Sequence, residues 1–133
     1  MTFVGKLAAS ILSADLAYLA DQVKLVHEHA EVIHIDIMDG HFVPPIALGT
    51  VVVASLRPHT ERTLHGHLMV EAPESFFEEL AEAGLDVVSF HHEAVADPVI
   101  AIDGPDGSAT RIRVRPHRHG SDGMFVAAYD RNR

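Results

Sequence analysis

The chain has 133 residues, no cysteine, 10 Lys/Arg against 19 Asp/Glu, and a formal net charge of −9. That is one domain's worth of chain; disulfides and thiolate metal sites are excluded, and no apolar run approaches the ~20 residues of a membrane span. Residues 1–98 hold four Lys/Arg and fifteen Asp/Glu, a balance that argues against a nucleic-acid partner.

In chain order, the first hundred residues alternate between period-2 and period-3.6 patterning. Ser10, Ser13 and Asp15 interrupt the mildly apolar start, so a secretory signal is not expected and a cytoplasmic location is. Leu7–Ser13 reads as a short strand. Asp15 is placed to cap a helix with Leu16, Leu19, Val23 and Val26 on one face. Val32–Met38 is a strand ended by Asp39-Gly40. Thr50 is expected to cap a short helix through Val52 and Leu56 that stops before Pro58. Thr63–Val70 is a third strand. Pro73 suits the first turn of a helix carrying Phe76, Phe77 and Leu80, and Gly84 suits its C-terminal cap. Val87–Glu93 is a fourth strand. Helical connections between strands imply a parallel sheet.

From residue 98 the character changes. Residues 99–133 carry six Arg, no Lys and four Asp. Residues 98–103 and 109–115 read as a hairpin around Gly104-Pro105-Asp106-Gly107, with Arg111, Arg113 and Arg115 on one face, most simply a solvated one. Beyond Pro116 no period is visible.

Two strands repeat a pattern of polar groups. His34, Asp36 and Met38 share one face of the second strand, and Ile33, Ile35 and Ile37 the other. His65, His67 and Met69 share a face of the third. In a parallel barrel the isoleucines would pack on helices, while the polar face would line the interior near the C-terminal rim, where such barrels keep their active sites. Imidazoles and a carboxylate from adjacent strands suit a divalent cation of borderline hardness, zinc, iron, manganese or cobalt. A single inward histidine is more often structural. Polar residues on two adjacent strands, each followed by Met, favour the metal reading. Of the other histidines, His27, His29 and His59 read as solvated, His41 as loop packing, and His91 with Glu93 as support on the fourth strand.

S-I-L-S-A-D at 10–15, H-I-D-I-M-D-G-H-F-V-P at 34–44, H-L-M at 67–69 and S-F-H-H-E at 89–93 resemble the ribulose-phosphate 3-epimerase family, with L-R-P-H at 56–59 and A-G at 83–84 in the same register. The resemblance covers residues 6 to about 97. It implies the front half of a (β/α)8 (TIM) barrel of the ribulose-phosphate-binding type, about four strands and three helices, and an isomerase that interconverts D-ribulose 5-phosphate and D-xylulose 5-phosphate in the pentose phosphate pathway. Carried over, His34, Asp36 and His67 would hold one divalent metal, Asp36 would also move the C3 proton, and Ser10, His67, Met38 and Met69 would contact substrate. The family's second catalytic aspartate and its phosphate-binding glycine loops belong to the back half, and residues 98–133 offer no match. The expected organisation is therefore a half-barrel over 1–97 and an unrelated tail over 98–133, either out of frame or disordered.

Within the matched region, His65-Gly66 stands where the family usually has aspartate and a branched aliphatic residue. Pro45 replaces asparagine, Ala9 proline and His92 an aliphatic residue. Four strands would leave two open sheet edges, which a homo-oligomer would close only by adding a second copy of the same four strands. Two alternatives stand beside the epimerase: an enzyme for another ketose phosphate such as allulose 6-phosphate, and a non-catalytic chain that binds metal weakly or folds poorly.

Overall fold

The computed structural model describes residues 5–96 in full and, beyond them, the backbone of three further strands at 99–103, 109–113 and 124–128. Strands β1 (Ala8–Ser10), β2 (Val32–Asp39), β4 (Thr63–Met69) and β5 (Val87–His91) pair in parallel in that spatial order. Helices α1 (Leu19–Val26), α2 (Thr50–Leu56) and α3 (Phe77–Ala83) lie in the three connections. This is the parallel β-α repeat that the hydrophobic periods imply, and it corresponds to part of an α/β barrel.

Alternation divides β2 and β4 into two faces. Ile33, Ile35 and Ile37 are buried, as are Leu64 and Leu68, and they join Val23, Val53, Leu56, Leu80 and Phe90 in one core. His34, Asp36, Met38, His65, His67 and Met69 occupy the other face and are half-buried. The register sets His34 beside His65, Asp36 beside His67 and Met38 beside Met69. Gly66 falls on the apolar face, and a Cβ there would stand 2.7 Å from Cδ2 of the buried Leu85. The strand gives up a side chain, and Leu85 fills the space.

Several boundaries differ from the sequence reading. The first strand is three residues long, not seven. Asp15 accepts a hydrogen bond from the Ala17 amide, but it caps a single 3-10 turn (Leu16–Tyr18) that leads into α1, and Leu16 is exposed. Thr50 is the first residue of α2, and Gly49 precedes it as the cap; its hydroxyl is taken by Glu79 Oε1 at 2.5 Å. Pro58 sits in a 3-10 turn (Arg57–His59) that prolongs α2, because a first-turn proline loses no helical hydrogen bond. Pro73 likewise opens a 3-10 turn before α3. Gly84 is left-handed (φ 108°) and its amide reaches the Leu80 and Ala81 carbonyls, as a C-terminal cap requires. Strand β5 ends at His91, so Glu93 lies in the following turn.

Further strands complete the described residues. Two-residue β3 (Ile46–Ala47) runs antiparallel to the end of β2. Strands β6 (Val99–Asp103) and β7 (Ala109–Arg113) form the anticipated hairpin as a separate sheet; Arg115, His117 and His119 lie outside the described residues. Strand β8 (Met124–Ala128), which no sequence period signals, pairs antiparallel with β5. One of the two edges expected to be open is thus covered.

Candidate metal centre

The site is built on the shared polar face of β2 and β4, with Asp36 and His67 in their C-terminal halves. Their shared register puts Asp36 and His67 side by side, and His34 lies one pleat below Asp36 on the same face. Asp36 Oδ1 is 3.2 Å from His34 Nε2 and 3.3 Å from His67 Nδ1. Ser10, at the end of β1, donates its hydroxyl hydrogen to Asp36 Oδ2 at 3.1 Å. Four residues named from the sequence, on three neighbouring strands, therefore meet at one carboxylate. Met38 and Met69 stand together one pleat nearer the rim.

The donor set fits a divalent cation. His34, Asp36 and His67 each offer a ligand atom within 4.8 Å of the others. At bond lengths of ~2.0–2.1 Å, tetrahedral donors sit roughly 3.4 Å apart, close to the spacings around Asp36 Oδ1. Two imidazole nitrogens and a carboxylate oxygen converging this way repel one another unless a proton or a cation lies between them. Burial is the largest influence on His67. It lowers the ring's pKa, with the charges of His91 and His34 acting the same way against the opposing pull of Asp36. His65 is lowered too, by burial first and then by the charges of His34 and His67. Both shifts favour the neutral ring, the form in which imidazole ligates.

His65 takes the supporting place rather than a ligand's. Its Nδ1 lies 3.3 Å from His34 Nδ1, and its Nε2 is bonded to the hydroxyl of the fully buried Ser89 on β5. His91 makes a contact that the sequence did not reveal, with its Nε2 3.1 Å from His67 Nε2. The alternation Val87-Ser89-His91 placed it on the inner face, but its reach to His67 depends on the β4–β5 register. His27 is not solvated as expected: it is half-buried and bonded to Thr60 Oγ1. His29, His41 and His59 are exposed.

Asp39 is a second carboxylate at the end of β2, and it is spent on the backbone. It accepts hydrogen bonds from the amides of His41 (2.8 Å), Phe42 (2.9 Å) and Glu71 (2.9 Å). Burial pushes its pKa up, but these three amides together outweigh that and hold it below the usual range. Gly40 (φ 75°) turns the chain directly over Ile46, where a Cβ would be 2.8 Å from Cγ1. The loop so fixed brings Phe42 against His91, with ring centroids 5.1 Å apart.

Residues 6–117 match the ribulose-phosphate 3-epimerase family. The chain belongs to that family. Its curated relatives include the ribulose-phosphate 3-epimerases of Bacillus subtilis (49% identical over 90 residues), Synechocystis sp. (48% over 92) and Mycobacterium tuberculosis (43% over 112). These alignments take in 67%, 68% and 83% of this chain but only 42%, 40% and 48% of the respective epimerases. The chain thus spans less than half the length of each. The epimerase family match also runs past residue 97, where the change of charge and patterning begins.

Proposed function

We propose that this site performs the proton transfer of a ribulose-phosphate 3-epimerase, with Asp36 as the acid/base and His34, Asp36 and His67 as ligands of one divalent metal. The observation that carries the reading is the meeting of both imidazoles and Ser10 on the Asp36 carboxylate at the rim end of parallel strands. When bound, the cation would supply Lewis-acid stabilisation of the negative charge that develops on the sugar's oxygens. Asp36 Oδ2, held by the Ser10 hydroxyl, is oriented to take a proton from carbon, a contribution of roughly 10²–10⁴-fold. Met38 and Met69 line the approach with soft, apolar surface. The donors suit zinc, iron, manganese or cobalt. A sugar phosphate is the proposed substrate, and D-ribulose 5-phosphate, which interconverts with D-xylulose 5-phosphate, is the first to try.

A specific observation supports a second reading, a chain that binds metal without useful turnover. Inversion at C3 needs an acid on each face of the sugar. Among the described residues, the one cluster able to hold a metal contains a single carboxylate. Loss of the opposite acid costs roughly 10²–10⁴-fold. The test mixes the purified chain, ribulose 5-phosphate and each candidate metal, and follows xylulose 5-phosphate through a coupling enzyme. Turnover within tenfold of an intact relative would overturn the second reading. Metal uptake without turnover is its expected result, and absence of both would remove the metal centre itself.

We further propose a division near residue 97, supported by the change from an acidic to an arginine-bearing segment. The nucleotide sequence after the Asp97 codon checks it: another frame should encode a glycine-rich segment and a strand bearing an aspartate. A cytoplasmic location is proposed from the cysteine-free composition. No helix among the described residues is long and apolar enough to cross a membrane.

A further inference from the structure

We infer that Asp39 is a positioning residue: by anchoring the loop that follows β2, it holds Phe42 against His91 and so fixes the His67 side of the site. Five rings stand in contact across the polar face, in the order Phe42, His91, His67, His34 and His65, with centroids 5.1, 5.2, 5.8 and 4.8 Å apart. The four histidines belong to β2, β4 and β5, where pairing between strands fixes their backbone. Phe42 has no such support. It lies in the loop between β2 and β3, at one end of the row, so whatever fixes that loop fixes the outer end of the row.

The loop is fixed by one carboxylate. Asp39 Oδ1 accepts the amides of His41 and Phe42, and Oδ2 accepts the amide of Glu71. The His41 ring turns back on the same residue, with Nδ1 3.0 Å from the Asp39 carbonyl oxygen. Glu71 lies just beyond the end of β4, past Met38 opposite Met69, the last pair of the β2–β4 ladder. The carboxylate is therefore a side-chain rung added to that ladder at the rim, and it ties the Phe42 loop to the strand that carries His67. Three donors on two oxygens also make the residue type specific. Asparagine offers one oxygen, and its NH2 group would meet one of the amides hydrogen to hydrogen. Side chains packed without gaps pass a displacement on, because no space between them absorbs it. Freedom at Phe42 thus becomes freedom at His91, whose Nε2 is 3.1 Å from His67 Nε2.

The effect on a cation rests on the metal reading proposed above; the placing of Phe42 does not. In the full chain with no metal added, nuclear Overhauser contacts should join the Phe42 and His91 rings, and the Glu71 amide should be protected from exchange. Asp39→Asn should weaken those contacts and speed exchange at Glu71. Its affinity for Co²⁺ should fall by about tenfold, the lower end of the effect of losing an outer partner of a ligating histidine, since Asp39 acts at one further remove. Phe42→Leu keeps the carboxylate rung and removes the ring: Co²⁺ affinity should fall by a similar factor with Glu71 still protected, whereas Phe42→Tyr should stay near the wild type. Within Phe42→Leu, Asp39→Asn should have little further effect on Co²⁺, because both changes act on one contact. A folded Asp39→Asn with the Phe42–His91 contacts intact overturns the inference, and so does an equal loss of Co²⁺ affinity with and without the Phe42 ring. If Asp39→Asn does not fold, Phe42→Leu decides, and His67 ring signals unchanged from the wild type overturn the inference. Ring contacts that depend on Asp39 in a chain that takes up no Co²⁺ uphold the positioning and sink the metal reading instead.

Discussion

Gly66 shows how far a single position can be read from sequence. A glycine in the middle of a strand looks like a cost of about 0.5–1 kcal/mol against alanine. The structure reverses its meaning, because the missing Cβ is where Leu85 sits. Gly66→Ala would regain backbone entropy but press on a residue only 1% exposed, and overpacking typically costs about 1–3 kcal/mol. The steric cost outweighs the entropic gain, so denaturant unfolding should show Gly66→Ala destabilised by about 1 kcal/mol. Gly66→Val should be worse alone, and it should be partly rescued by Leu85→Ala, since two residues in contact do not act additively. The site residues were more legible. His34, Asp36 and His67 could be placed on one face because a strand's period is fixed, whereas the contacts of His91 and Asp39 depend on register and turn geometry, which leave no period in the sequence.

Elements were legible in kind and less so in extent. All four parallel strands and three helices follow from hydrophobic spacing, but β1 is cut to three residues and each helix is preceded or prolonged by a 3-10 turn. What ties such short pieces down are side chains clamped to backbone groups at a distance in sequence. Glu31 Oε2 accepts the amide of Leu7 at 2.8 Å, at the entrance to β1. That hydrogen bond, followed by one from its own amide, holds the Glu31 pKa below the usual range against the opposing effect of burial, with Arg62 and Lys6 assisting. A carboxylate depressed in the folded state adds stability above its unfolded pKa and loses it as pH falls through the folded value. Melting temperature followed downward from neutral pH should therefore fall less steeply in Glu31→Gln than in the wild type. Equal slopes would exclude this clamp.

Arg57 is the second clamp. It bonds Asp86 Oδ2 at 2.9 Å, the Arg62 carbonyl at 3.0 Å and the Gly84 carbonyl at 3.3 Å, joining the end of α2 to the turn between α3 and β5. Asp86 Oδ2 also accepts the Leu64 amide at 2.8 Å. Both charged side chains are less than a third exposed, so the loss is felt: Arg57→Ala should cost about 1.5–3 kcal/mol in urea unfolding. Arg57→Lys should recover little, since an ammonium cannot reproduce the planar fork.

At the scale of the whole molecule, the sheet ends in two different ways. On one side β1 offers only three residues, and short edge strands are poor templates for aggregation. On the other, β8 pairs with β5 over five residues, Val87 opposite Ala128 through His91 opposite Met124. A variant lacking residues 124–128 should bare the β5 edge, and light scattering at rest should rise in it faster than in the wild type. The antiparallel sense of β8 was the least legible feature, because the strand carries no periodic signal and its partner lies more than thirty residues away.

That sense has a further consequence for any attempt to restore the family barrel from two pieces. A (β/α)8 barrel continues with a parallel strand at the position that β8 occupies. A separately supplied back half cannot simply add to this sheet; it must first evict β8, so reconstitution is an exchange rather than an addition. With the full chain the gain of signal should lag and saturate with time instead of with concentration of the added half, and with residues 124–128 removed the lag should vanish.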